Sequence, residues 1–120
     1  TAARGPAYYR LPWGNQFDPK RANLVGNKDG FLSAAPVGSF PPGTSPYGAM
    51  DMIGNVWEWV GTPHSPLPVN PVSKKDKTLR LAKGGGWTSP PERATIDYRN
   101  AVNGAMKNPT FGFRCVKQVR

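Results

Sequence analysis

At 120 residues the chain is one domain or part of one, and its 14 glycines and 14 prolines exclude a fold built on long helices. A formal charge of +9, from 16 Lys and Arg against 7 Asp and Glu, would suit a nucleic-acid partner. The basic residues are scattered, however, and their one cluster (Lys74, Lys75 and Lys77, with Arg80 and Lys83) has no interleaved aromatic residues, so nucleic acid is not an expected partner.

In chain order, Ala2, Ala3, Arg4 and Gly5 read as the last turn of a helix, closed by glycine and then Pro6. Residues 10–14 read as a turn and residues 17–27 as an irregular loop. Residues 35–40 form a short extended piece stopped by Pro41-Pro42-Gly43. Val56, Trp57, Glu58, Trp59 and Val60 alternate as a strand does, with Glu58 opposite the apolar face. His64 stands among prolines and is read as solvent-exposed, and residues 65–76, rich in Pro, Ser and Lys, as the flexible loop. Residues 79–83 alternate as a second strand, residues 94–101 as a third, and residues 112–119 as the strand that closes the sheet. Cys115 lies in that last strand and is expected to be a buried, inert thiol. As the single cysteine it permits no internal disulfide, and no apolar run is long enough to span a membrane as a helix.

With so few aliphatic residues, thirteen aromatic side chains must supply much of the core. A loop-rich chain of this kind needs an added constraint, such as bound metal or a partner. Side-chain oxygens of Asn23 and Asp29, with carbonyls released by the Asp29-Gly30 turn, would make an oxygen-only cage of the kind calcium accepts. An ordinary turn closed by the Asp29 side chain is the alternative. Gly84-Gly85-Gly86 lacks the following helix and Lys-Ser/Thr of a phosphate loop, and reads as tight packing against Trp87. No nucleophile paired with a base and no histidine triad is visible.

Five blocks stand in register along the chain. They are Trp13-Gly14-Asn15-Gln16-Phe17-Asp18-Pro19, Tyr47-Gly48-Ala49-Met50-Asp51-Met52-Ile53, Gly54-Asn55-Val56-Trp57-Glu58-Trp59, Gly84-Gly85-Gly86-Trp87 and Gly112-Phe113-Arg114-Cys115-Val116. Taken in this order they resemble the C-terminal half of the formylglycine-generating enzyme family, the sulfatase-modifying factors, over residues 3–117. The resemblance implies an α+β, loop-rich, C-type-lectin-like variant fold with short antiparallel strands and little helix. It also implies that residues 1–120 are the C-terminal portion of one such domain, whose N-terminal half would precede them.

The resemblance further implies two calcium sites. One would use Asn23, Leu24, Asp29 and Phe31, the other Asp51, Gly54, Val56 and Glu58, with Leu24, Phe31, Gly54 and Val56 acting through their carbonyls. Family enzymes hold copper with two cysteine thiolates, which would fall near Ser89 and Thr95. The sequence there reads Thr88-Ser89-Pro90-Pro91-Glu92-Arg93-Ala94-Thr95, and hydroxyls do not replace thiolates toward Cu(I), so copper is not expected.

The reading is therefore a non-catalytic, calcium-stabilised domain used for binding or scaffolding. Candidate ligand contacts are Trp87, Ser89, Glu92, Arg93, Tyr98 and Arg99, of which Tyr98 and Arg99 read equally well as core and ion-pair residues. A second polypeptide is expected over an aromatic face of Trp13, Trp57, Trp59 and Trp87, either the rest of the same domain or another subunit, with an acidic surface suited to the +9 charge. One alternative is part of a superfamily enzyme, a formylglycine-generating oxidase or a non-haem-iron sulfoxide synthase, for which this chain supplies pocket walls. Another is a retroelement-diversified binding protein, varied between Trp87 and Phe111. A lone cysteine does not fix the compartment, which leans to the periplasm or the exterior. Incubated with copper, oxygen and a Cys-X-Pro-X-Arg peptide, the protein is expected to leave the thiol intact by mass spectrometry; chain-dependent aldehyde would reverse the non-catalytic reading.

Overall fold

The computed structural model describes residues 2–26, 28–63 and 78–117. Regular structure is sparse. Four strands, β1 (Trp57–Pro63), β2 (Leu79–Lys83), β3 (Asn100–Asn103) and β4 (Phe111–Gly112), form one sheet in the order β3-β2-β1-β4. Two single 3₁₀ turns, Pro41–Gly43 and Pro91–Arg93, each begin at proline, whose fixed φ suits the first position of such a turn. No helix among the described residues is long and apolar enough to cross a membrane. His64, the loop at 65–76 and Lys74, Lys75 and Lys77 lie outside the described residues.

The alternation of β1 dictates its faces. Trp57 and Trp59 fall on one side and Glu58 on the other. Phe111, paired with Trp57 across the parallel β1–β4 ladder, stacks on Trp57 at 6.2 Å and 22° and meets Trp59 at 5.2 Å. Tyr98 packs against the Trp57 ring at 6.0 Å. These contacts leave Trp57 only 6% exposed. The β1–β2 and β2–β3 ladders are antiparallel, with Glu58 opposite Lys83 and Ala82 opposite both Trp59 and Asn100. A second apolar cluster, Leu11, Ala22, Leu24, Ile53 and Ala94 with Trp13 and Ile96 against it, lies beneath the loops.

The structure corrects the sequence expectations at three places. The third strand is Asn100–Asn103, because Ile96 donates its N–H to the Arg10 carbonyl and Tyr98 to the Thr95 carbonyl; residues 94–98 turn instead of extending. The closing strand is two residues, Phe111–Gly112, and runs parallel to β1, so the sheet is mixed. From residue 113 to residue 117 the backbone joins no ladder, nothing covers it among the described residues, and Cys115 is exposed rather than buried. The triple glycine packs tightly at Gly86. A Cβ on Gly86 would stand 3.2 Å from the Trp57 ring.

Gly54 marks where two loops touch backbone to backbone. Its φ is +77°, and a Cβ there would lie 2.4 Å from the Asn23 carbonyl oxygen. Gly54→Ala combines a left-handed backbone with a backbone clash, and is expected to cost about 3 kcal/mol in urea denaturation. Gly61→Ala, which meets no atom within 4 Å, should stay within about 0.5 kcal/mol of the parent.

Candidate functional site

The candidate residues gather where residues 23–31 and 51–58 meet. Asp51, Gly54 and Asn55 all have positive φ (54°, 77° and 66°), so the chain doubles back before entering β1. Asn55 donates its N–H to the Asn23 carbonyl at 2.8 Å, and Gly54 donates to the Gly84 carbonyl at 2.8 Å.

The first cage is built on Asn23, which is 1% exposed. Its amide nitrogen donates to the Ser33 carbonyl at 2.8 Å and to Asn55 Oδ1 at 3.1 Å. Its amide oxygen is buried and has no hydrogen-bond partner. Asp29 accepts from the Leu24 N–H through Oδ2 and from the Phe31 N–H through Oδ1, both at 3.0 Å. Each carboxylate oxygen keeps a further acceptor site. A cavity of about 250 Å³ is bordered by Leu24, Asp29 and Lys28. A buried acceptor without a donor is costly, and a hard cation satisfies it. Amide oxygen, carboxylate and carbonyl together form a donor set that suits calcium.

The second cage differs. Asp51, Gly54, Val56 and Glu58 do line one cavity, of about 480 Å³. Arg114, however, enters it and forks onto both oxygens of Glu58, while also donating to the Met50 carbonyl at 3.0 Å and the Asp51 carbonyl at 3.1 Å. Asp51 Oδ2 accepts from the Gly38 N–H at 2.7 Å. The hydrogen bond to Glu58 raises the guanidinium above its ordinary pKa, against the opposing effect of burial. The two cages are thus inequivalent: one has an unpartnered oxygen, the other a resident cation. Among the described residues no three His, Cys, Asp or Glu side chains come together. An ion held here would be ligated largely by amide and carbonyl oxygens.

The six candidate ligand contacts are split between interior and surface. Ser89 is 5% exposed, and its hydroxyl accepts from the Gly86 N–H at 2.9 Å. Trp87 is half-buried and donates its N–H to the Asn55 carbonyl at 2.8 Å. Tyr98 packs on Trp57, as its core reading requires. Glu92 and Arg93 are exposed on their 3₁₀ turn, and Glu92 borders a cavity of about 140 Å³ with Arg10, Phe17 and Thr95. Arg99 is exposed near Lys83, whose ammonium is pushed down first by burial and then by the Arg99 charge. Sequence reasoning assigned no role to Asn55 or Arg114. The Gly54-Asn55 pair is a left-handed turn signal that pointed to the first; nothing local pointed to Arg114, 56 residues from Glu58.

A small mixed sheet of short strands, with irregular loops carrying the candidate site, has the C-type-lectin-like architecture. The chain belongs to the sulfatase-modifying factor enzyme 1-like domain family, which matches residues 1–119. It is 34% identical over 128 residues to the inactive C-alpha-formylglycine-generating enzyme 2 of Bos taurus, a match covering 95% of this chain and 40% of that protein. It is 35% identical over 104 residues to the hercynine oxygenase of Mycolicibacterium smegmatis, covering 76% of this chain and 24% of that protein. The structure of PvdO from Pseudomonas aeruginosa superposes with a TM-score of 0.73 at 28% identity, covering 93% of this chain and 46% of that one. The chain therefore spans less than half of each of these proteins.

Arg114→Gln would leave Glu58, whose side chain is 19% exposed, without its counter-charge and two carbonyls without donors. A loss of about 2 kcal/mol in chemical denaturation is expected, between the values typical of exposed and buried pairs. In a double-mutant cycle with Glu58→Gln the two losses should be strongly non-additive.

Proposed function

We propose that this domain is a non-catalytic, calcium-stabilised member of its family that acts as a binding or scaffolding subunit within a larger assembly. The observations that carry the calcium reading are the buried, unpartnered side-chain oxygen of Asn23 and the Asp29 carboxylate, which is bonded to the N–H of Leu24, the residue after Asn23. Binding there stabilises the folded state by mass action and supplies the constraint that a loop-rich chain with one four-stranded sheet otherwise lacks. The second cage takes its ion more weakly, because Arg114 already neutralises Glu58.

The non-catalytic reading is supported at Ser89 and Thr95, where the family resemblance would put copper-binding thiolates and this chain has hydroxyls. A relative that is itself named inactive points the same way. As to partners, Trp57 is closed over by Phe111 and Tyr98, while Trp13, Trp59 and Trp87 are half-buried. More open apolar side chains, Val37 at 89% exposed, Phe113 at 77% and Met50 at 41%, border the cavity of the second cage. That apolar rim around a polar centre suits a second polypeptide, and the charge of +9 favours an acidic one. A second reading, pocket walls for a superfamily oxygenase, is favoured by the similarity to hercynine oxygenase.

Thermal melts and calorimetric titration test the calcium reading. The midpoint is expected to rise with calcium and fall with excess chelator, by about 2.7 kcal/mol of stabilisation at a hundredfold excess over Kd. Binding should resolve into one tight and one weak step. An unchanged midpoint, with no metal found by elemental analysis, would remove calcium from the account.

A further inference from the structure

Asn55 belongs to neither donor set, yet each of its polar atoms has a partner, and two of those bonds are to Asn23. Its N–H meets the Asn23 carbonyl at 2.8 Å, and its carbonyl accepts from the Trp87 N–H at 2.8 Å. Its side-chain oxygen accepts from Asn23 Nδ2 at 3.1 Å and from the Ala35 N–H at 2.8 Å, and its Nδ2 donates to the Ala35 carbonyl at 3.2 Å. The residue is 6% exposed.

A carboxamide has two donor hydrogens at one end and an acceptor oxygen at the other, so its partners decide which way it faces. Both hydrogens of Asn23 Nδ2 are engaged, one by the Ser33 carbonyl and one by Asn55 Oδ1. Turned over, Asn23 Oδ1 would face two oxygens and Nδ2 would lose both acceptors. The orientation seen, with Oδ1 buried and unpartnered, is therefore held by two acceptors, the Ser33 carbonyl and the side chain at position 55, and the second is the one a substitution can remove. Asn55 is itself held in register by its pair of bonds to Ala35, which leaves its own oxygen turned to Asn23. Side chains that orient metal ligands in this way change affinity by roughly 10–100-fold when removed.

We propose that Asn55 is a positioning residue for the first cage: by holding Asn23 Nδ2 it fixes Asn23 Oδ1 as the acceptor offered to calcium. The proposal rests on the calcium reading of that cage. It separates two substitutions that a purely structural role would treat alike. Asn55→Gly keeps the left-handed backbone at φ +66° but removes the acceptor. Asn55→Asp also tolerates that backbone and keeps an acceptor for Asn23 Nδ2, while losing the donor to the Ala35 carbonyl.

Calcium affinity is measured by calorimetry on the folded proteins, well below their melting midpoints, with terbium luminescence sensitised by tryptophan as an independent probe. Both variants should melt lower than the parent without metal. Asn55→Gly is expected to weaken the tight site by at least about tenfold, and Asn55→Asp to stay within roughly threefold or to bind tighter. In an Asn23→Leu background, where the tight step is gone, Asn55→Gly should cause no further loss. If the parent binds no calcium, the calcium reading falls and takes this proposal with it. If the parent binds and Asn55→Gly binds equally well, only the positioning role falls. Should Asn55→Gly not fold, Asn55→Asp decides: parental affinity at a lowered metal-free midpoint supports the role, and a tenfold loss overturns it.

Discussion

Two buried amides, Asn23 and Asn55, hold together parts of the chain that no ladder reaches. The sheet accounts for only 18 residues in four strands, so most of the backbone must find hydrogen-bond partners elsewhere. Asn55 ties residue 23, residue 35 and residue 87 to the turn that starts β1. Because all these groups lie in a low-dielectric interior, each bond is stronger than at the surface and each missing partner costs more. Among the buried side-chain nitrogen and oxygen atoms of the described residues, Asn23 Oδ1 has no hydrogen-bond partner, and that exception gives the first cage its chemical character.

Arg114 plays the corresponding part on the other side of β1. Glu58 emerges on the face opposite Trp57 and would be left half-buried with a full charge. A planar guanidinium fits a carboxylate through two parallel bonds and still has donors for the Met50 and Asp51 carbonyls. The Arg114 side chain crosses toward the 50–51 turn, and β4 ends at Gly112.

Where the alternation of side chains reflected a real sheet face, the sequence was readable. The pattern at 56–60 became β1 from Trp57, and residues 79–83 became β2 without a shift. The pattern at 94–101 misled because Ile96 and Tyr98 are apolar for unrelated reasons: one packs on the loop cluster, the other on Trp57. Cys115 misled in the same way, since apolar neighbours in sequence guarantee a buried strand only if another layer covers it. The site was legible in part. Asp51 and Glu58 could be named from the family blocks and line one cavity, while Asn23 and Asp29 were read from the Asp29-Gly30 turn, whose carboxylate accepts from the Leu24 N–H. Asn55 and Arg114 act through contacts 32 and 56 residues long, which no local pattern encodes.

The same physics bears on the turn at 86–89. At Ser89 the hydroxyl is buried and accepts from the Gly86 N–H, closing the turn that follows the glycines, while the Ser89 carbonyl accepts from Val25 beside the first cage. A serine oxygen is a stronger acceptor at shorter distance than a thiol sulfur. It is correspondingly poor as a ligand for a soft metal. A position that resembles a reactive one in the family is therefore joined here to the structural network that begins at Asn23. The turn at 86–89 and the loop at 23–29 are bonded to each other through the Val25 N–H and the Ser89 carbonyl, so the two loops share one hydrogen-bond network.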